Sequence, residues 1–222
     1  MIKQIHLNQC DSTQDILKEQ LSRSGDEYLV VSCEHQLHGR GRGANSWIEM
    51  PGSLCFSLSV HGHRIPSFTA IEMSLLIANF FSQKGKNLGL KWPNDLWNEE
   101  GLKCGGILVQ NSGSKMLAGI GLNLYSDQKE FGGIFEESFE FDKKTWAQDI
   151  AEFILNNRYA DTQQLKNDWE KRCVHFHKKV VITENSERYE GAFYGLGEHG
   201  EALLNNVQEG IQHIYNGTLR LL

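Results

Sequence analysis

Four short runs in this sequence combine residue types that can hold an anion beside a planar ligand. The first is Gln36-Leu37-His38-Gly39-Arg40-Gly41-Arg42-Gly43-Ala44-Asn45-Ser46-Trp47. Glycines at alternate positions let backbone amides approach an anion closely. The arginines between them add fixed charge and forked donors for phosphate or carboxylate. Trp47 can cover an apolar or planar group. The same composition also fits a plain solvated basic loop, because short glycine motifs often match by chance. It is not a dinucleotide fingerprint, since the spacing G-x-G-x-x-G is not met and no helical pattern follows. The second run is Lys91-Trp92-Pro93-Asn94-Asp95-Leu96. Pro93 fixes φ and lacks a donor, which would aim Asn94 and Asp95 away from a sheet, where they can hold magnesium or a ribose. An ordinary turn fits as well. The third, Lys103-Cys104-Gly105-Gly106 and on to Gln110, sets a lysine before paired glycines at the mouth of an apolar strand. A point charge there suits developing negative charge on phosphorus, although lysines at hairpin bases are usually surface groups. In the fourth, Gly119 to Asn123, glycines within a strand suggest close backbone approach, and Asn123 can donate to phosphate.

The elements that would position these runs read as follows. Ile2 to Leu7 forms a short strand, and Asp11-Ser12-Thr13 offers caps for a helix with Ile16, Leu17 and Leu21 on one face. Tyr28 to Cys33 is a buried strand, and Glu34 to Trp47 is a long polar loop. Ser53 to Val60 alternates and reads as a strand. Thr69-x-x-Glu72 matches a capping box opening an apolar helix through about Phe81. Leu88 to Trp92, Cys104 to Gln110 and Met116 to Leu124 read as strands, with turns at Asn98 to Gly101 and Asn111 to Ser114. Lys115 is thereby placed in an exposed turn. Thr145 to Asn157 and Gln163 to Arg172 read as helices. Composition shifts near His177, and Lys179 to Leu222 carries short strand runs such as Val180 to Ile182 and Ala202 to Leu204. They are parted by turns at Glu184 to Ser186 and Glu198 to Gly200, as in a small β-barrel-like unit that must pack on the main one.

Composition narrows the function. The chain has 222 residues, 40% hydrophobic and 23% charged, with net charge −6, an ordinary soluble balance. No stretch nears the roughly 20 apolar residues that cross a bilayer, and the start shows no cleavable leader. The acidic balance and the lack of room before Asp11 for a helix-turn-helix argue against duplex DNA as a partner. Five scattered cysteines with no Cys-x-x-Cys spacing fit a reducing cytoplasm and no zinc site. Cys104 has no partnered histidine in sequence and reads as a buried thiol. His61-x-His63 and His175-x-His177 lack a recognisable third ligand, so no fixed metal site is expected. The acidic stretch Glu136 to Glu140 reads as solvated, and Trp146 and Trp169 read as core.

Taken in order, the runs resemble the biotin protein ligases. The resemblance begins at Asp11-Ser12-Thr13-Gln14 and takes in Gln36 and Gly39 to Arg42. It continues through Trp47, Lys91 to Leu96, Lys103 to Val109 and Gly119 to Asn123, and it extends over nearly the whole chain. It implies an α+β fold. A mixed β-sheet backed by helices, of the class II synthetase-like kind, would fill residues 1–177, and a small SH3-like β-barrel would fill residues 178–222. It implies that MgATP activates biotin to biotinyl-AMP and that the biotinyl group passes to a lysine of a biotin carboxyl carrier protein, an acetyl-CoA carboxylase subunit. Ser12, Thr13 and Gln14 would meet the biotin ring system with Gln36 beside them, and Trp47 would wall the biotin tail. Arg40, Gly41 and Arg42 would hold the activated carboxyl and phosphate. Lys103 would touch both biotin and the α-phosphate, and with Arg40 and Arg42 would be catalytic. Lys91, Asn94, Asp95 and Asn123 would lie near ATP and Mg2+. Neither nucleic acid nor membrane is an expected partner, and a homodimer is left open.

The sequence departs from the family pattern at three positions. Gln14 stands where asparagine is usual, and Gly43 and Asn45 stand where arginines are common, which bears on triphosphate binding. Two rivals follow: a lipoate–protein ligase of the same fold, and a non-catalytic module that holds biotin or biotinyl-AMP. The glycine-rich stretch His35 to Ser46, with few apolar anchors, is expected to be mobile without ligand and ordered with it.

Overall fold

The computed structural model describes residues 2–24, 28–43 and 45–222. Ala44, within the glycine-rich loop, lies outside the described residues. The alternation in Ser53-Leu-Cys-Phe-Ser-Leu-Ser-Val60 sets the centre of the molecule, because this strand, β5 (Ser53–Val60), is buried along its whole length. Its Leu54, Phe56, Leu58 and Val60 belong to the main hydrophobic core. Its serines and Cys55 point the other way and are equally buried. The polar half of the alternation is therefore an interior surface, not a solvent face.

Around β5 runs a mixed seven-stranded sheet. Its other strands are β1 (Lys3–Cys10), β2 (Leu29–Gln36), β6 (Gly89–Lys91), β7 (Asp95–Trp97), β8 (Lys103–Ser112) and β9 (Lys115–Asn123), in the order β1-β2-β5-β9-β8-β7-β6. β1 and β2 are parallel, and the remaining pairs are antiparallel. Helix α1 (Thr13–Ser24) covers one face through Leu17, which packs with Leu29, Val31 and Leu117. Helices α2 (Phe68–Ser82), α3 (Lys143–Asn156) and α4 (Thr162–Lys171) add to the main core on the other face. Trp169 is fully buried and the stretch Glu136 to Glu140 is exposed, as expected.

Three local expectations need correction. The capping box at Thr69 and Glu72 does not form: the N-cap of α2 is Ser67, two residues before Thr69, and it makes no side-chain cap bond. Thr69 Oγ1 instead accepts from the His63 amide at 3.0 Å. The fully buried Glu72 carboxylate is occupied by Arg158 at 2.9 and 2.6 Å and by the Tyr159 amide at 2.8 Å, since a buried carboxylate requires such partners. The stretch from Glu34 to Trp47 is not one long loop: β2 runs on to Gln36, and a ribbon of β3 (Gly39–Arg40) and β4 (Ser46–Trp47) follows. Lys115 is not exposed. It is 95% shielded, with 5% exposure, and its ammonium lies 4.5 Å from the centre of the Tyr28 ring; its long aliphatic stem makes such burial possible.

The C-terminal strands are β10 (Lys179–Glu184), β11 (Glu187–Leu196), β12 (Ala202–Asn206), β13 (Gly210–Ile214) and β14 (Thr218–Leu221). They form an antiparallel sheet in the order β13-β12-β11-β10-β14, and no ladder between β13 and β14 closes it into a barrel among the described residues. Its Val180, Ile182, Phe193 and Leu219 join the same core as Leu90 and Trp169. Trp92 Nε1 donates to Gly200 O, in the turn between β11 and β12, at 3.0 Å, and Leu90 bridges to Cys173 just after α4. All five cysteines are free, and among the described residues no helix is long and apolar enough to cross a membrane.

Candidate active site

A cleft of about 840 Å³ opens between the large sheet, the glycine-rich ribbon and the C-terminal sheet. At one end stands the start of α1. Thr13 donates from both its amide and its hydroxyl to Gln36 Oε1, at 2.9 and 3.0 Å, and its hydroxyl lies 2.8 Å from Ser57 Oγ. Gln14 Nε2 donates to Leu108 O at 3.2 Å and Leu117 O at 3.0 Å. This brings Ser12, Thr13, Gln14 and Gln36 to one wall. The glycines of β9 are there to be approached. A Cβ on Gly119 would fall 2.8 Å from Gln14 Oε1, and one on Gly121 would fall 2.5 Å from the Trp47 ring. The Trp47 indole thus lies directly on the strand.

The ribbon arginines line the cleft but already have protein partners. Arg40 pairs with Asp15 at the start of α1. Arg42 donates to Asn216 Oδ1 and, at 3.2 Å, to Gly217 O, both from the turn between β13 and β14. Burial holds the Arg42 guanidinium below its ordinary range, with Asp95 acting the opposite way. Arg42 is thus anchored from two sides, and Arg40 by one exposed ion pair.

On the far side, Lys91 and Asp95 face each other across the β6–β7 hairpin, whose turn carries Trp92, Pro93 and Asn94. The short strand β7 went unread in the sequence, so Asp95 sits on the sheet and not beyond it. Asn94 Nδ2 donates to Ile107 O at 2.6 Å, leaving its carbonyl oxygen as the acceptor. Asp95 Oδ1 lies 2.6 Å from Lys103 Nζ, and Oδ2 lies 4.0 Å from Lys91 Nζ. Burial keeps Lys91 below the usual lysine range. The thiols are inert by environment: burial pushes both Cys55, in the floor, and Cys104 up to about 12.

All of the sequence-derived candidates except Asn123 line this cleft. Asn123 is only 2% exposed, and its amide oxygen accepts from Ser53 Oγ at 3.0 Å. The site also includes groups that sequence reasoning missed, notably Ser57 and the C-terminal residues Tyr215, Asn216 and Gly217. Asn216-Gly217 is a turn dipeptide legible in the sequence, but nothing local says that it faces Arg42.

Residues 7–127 match the biotin/lipoate A/B protein ligase family, and the chain belongs to that family. It is 23% identical to the bifunctional ligase/repressor BirA of Bacillus spizizenii over 240 residues, covering 98% of this chain and 73% of that protein. Its fold matches the biotin protein ligase from Aquifex aeolicus solved in complex with biotin and ATP. The TM-score is 0.84 and the identity 25%, with 99% of each chain covered. A putative lipoate protein ligase from T. acidophilum with bound lipoic acid shares the fold more distantly, at TM-score 0.52 and 14% identity, over 77% of this chain and 94% of that one.

Proposed function

We propose that the chain is a biotin protein ligase, acting in a reducing cytoplasm, with residues 1–177 as its catalytic unit and 178–222 as a smaller unit completing the cleft. The observation that supports this most is the meeting of Ser12 to Gln14, Gln36, Arg40 to Arg42, Trp47, Asp95 and Lys103 around one cleft. The ring system of biotin would lie against Ser12, Thr13, Gln14 and Gln36, with its tail along Trp47. Its carboxylate then attacks the α-phosphorus of ATP, the bond to the β-phosphate oxygen breaks, and pyrophosphate leaves. Arg40, Arg42 and Lys103 supply fixed positive charge where the phosphoryl oxygens gain negative charge. A lysine amine of the carrier protein next attacks the carbonyl of the mixed anhydride and expels AMP. The Asp95 carboxylate and the Asn94 carbonyl oxygen would hold Mg2+, hard oxygen ligands for a hard cation, and the ion would supply Lewis-acid withdrawal of charge.

The test is pyrophosphate release with biotin and ATP, followed by transfer to a carrier domain. Release with biotin that lipoic acid fails to compete for is the expected result. Release with lipoic acid alone would make this a lipoate ligase. Tight biotin binding without release would leave only a binding module.

A further inference from the structure

The strand that carries Gln36 lacks a neighbour on one side where it reaches the cleft. β5 pairs with β2 only as far as Ser32 and Phe56, whereas β1 stays paired out to Gln36. Beyond Ser32, the Glu34 carbonyl and the Gln36 amide therefore have no ladder partner from β5. Two side chains take that place. Lys143 Nζ, from the first turn of α3, donates to Glu34 O, and Glu49 accepts from the Gln36 amide through Oε2. The two charges meet each other at 3.0 Å between Lys143 Nζ and Glu49 Oε1, with only 11% and 15% of their side chains exposed. His35 Nδ1 faces this carboxylate at 3.9 Å, and the buried thiols of Cys10, Cys33 and Cys55 lie within reach of its charge. Neither Glu49 nor Lys143 lines the cleft.

We infer that Glu49 and Lys143 are a positioning pair that aims the Gln36 side-chain amide at the ring end of the substrate. This rests on the biotin reading above. Gln36 Oε1 accepts from the Thr13 amide, which can only donate, so turning the side-chain amide round would set two N–H groups against each other. That orientation leaves Nε2 as the free end, beside Gly39 of the ribbon, where a Cβ would fall 2.8 Å from it. The site thus offers N–H donors there, which suit an acceptor such as the carbonyl of a cyclic urea. Holding the Gln36 backbone by a buried carboxylate, and that carboxylate by a lysine, fixes the donor's direction before the substrate arrives.

The experiment compares wild type with Glu49→Ala, Glu49→Gln and Lys143→Met, measuring KM for biotin and for ATP, kcat and thermal midpoint. Calorimetric binding of biotin and of 2-iminobiotin, which carries N–H donors in place of the urea carbonyl, is measured alongside. Glu49→Ala is expected to raise KM and Kd for biotin about tenfold, with kcat and the ATP KM within about twofold of wild type. Glu49→Gln keeps an acceptor for the Gln36 amide and should recover part of the loss, and 2-iminobiotin binding should barely respond to any variant. An unchanged biotin KM in soluble Glu49→Ala and Lys143→Met, with only kcat or the midpoint lowered, would overturn the inference and make the pair merely structural. Wild type that binds no biotin would overturn the functional reading itself.

Discussion

Lys103 Nζ sits 2.6 Å from Asp95 Oδ1, and the two face the cleft from neighbouring strands β8 and β7. The cation that is to stabilise a phosphoryl group is thus held by a carboxylate until phosphate competes for it. A preorganised charge of this kind acts mainly in the transition state, and losing one contact costs about 3 kcal/mol, or about a hundredfold in rate. Lys103→Ala should slow biotin-dependent pyrophosphate release by that factor or more, with circular dichroism unchanged. Lys103→Arg should also be impaired, because a planar guanidinium does not replace a compact ammonium. The exposed Lys129 is the proper control, Lys115 being buried. Wild-type release by Lys103→Ala at saturating biotin and ATP would remove the role assigned to it.

Asn216 connects the C-terminal sheet to the ribbon. Its Oδ1 accepts from Arg42 and also from the Gly217 amide at 2.9 Å, which fixes its direction. A hydrogen bond to a charged group contributes about 1.5–3 kcal/mol when well shielded, and this one is half exposed. Asn216→Ala should therefore slow pyrophosphate release about tenfold, chiefly through a weaker hold on Arg42. A rate within error of wild type would mean that Arg42 finds its working position without this turn.

The two ribbon arginines should differ toward trypsin. Arg40 is exposed and held by one surface ion pair, whereas Arg42 is half-buried and held from two sides. Surface ion pairs hold a side chain weakly. Without ligand, cleavage after Arg40 should outpace cleavage after Arg42, and biotin with ATP should suppress both. Mass spectrometry of timed digests reads this directly. Cleavage that ignores ligand would count against the ribbon as a clamp.

His175 makes stability depend on pH. It is fully buried against Phe193, its Nε2 has no hydrogen-bond partner among the described residues, and burial, then Lys91 and Lys178, lowers its pKa from 6.5 to about 3. The unfolded chain takes up a proton below about 6.5 that the folded chain refuses. Stability is therefore full above that pH and is lost as pH falls toward 3. At pH 5.5 the loss is about 1.4 kcal/mol. His175→Phe should remove that part of the acid sensitivity between pH 7.5 and 5.5 in urea unfolding, the carboxylates being common to both proteins. Parallel pH profiles would show that His175 is not buried neutral.

Much of the fold was legible because periodicity survives in long elements. The strands at Ser53 to Val60 and Met116 to Leu124 and the helices near Thr145 and Gln163 lie where the pattern put them, within one or two residues. Short elements were not legible: β7 has three residues and the ribbon strands two each, too few for any period. Of the candidate site, the runs that approach the cleft through backbone or glycine were readable in sequence, as with Gly121 beneath Trp47. Groups that reach it only through tertiary pairing were not. Asn216 meets Arg42 across 174 residues, and Glu49 and Lys143 serve Gln36 from 13 and 107 positions away. Asn123 erred in the other direction, because its place in the fourth run is real but its side chain turns inward to Ser53.

The hydrogen bond from Trp92 to Gly200, set beside a core that contains Leu90, Trp169, Val180 and Phe193 alike, bears on how the protein comes apart. Melting the C-terminal sheet alone would strip apolar cover from Leu90 and Trp169 and leave the indole N–H of Trp92 without an acceptor. The turn that carries Asn94 and leads into Asp95 on β7 would lose its support in the same event. Calorimetry should accordingly record one endotherm whose van't Hoff and calorimetric enthalpies agree, and heat inactivation should coincide with loss of the β-sheet signal instead of preceding it.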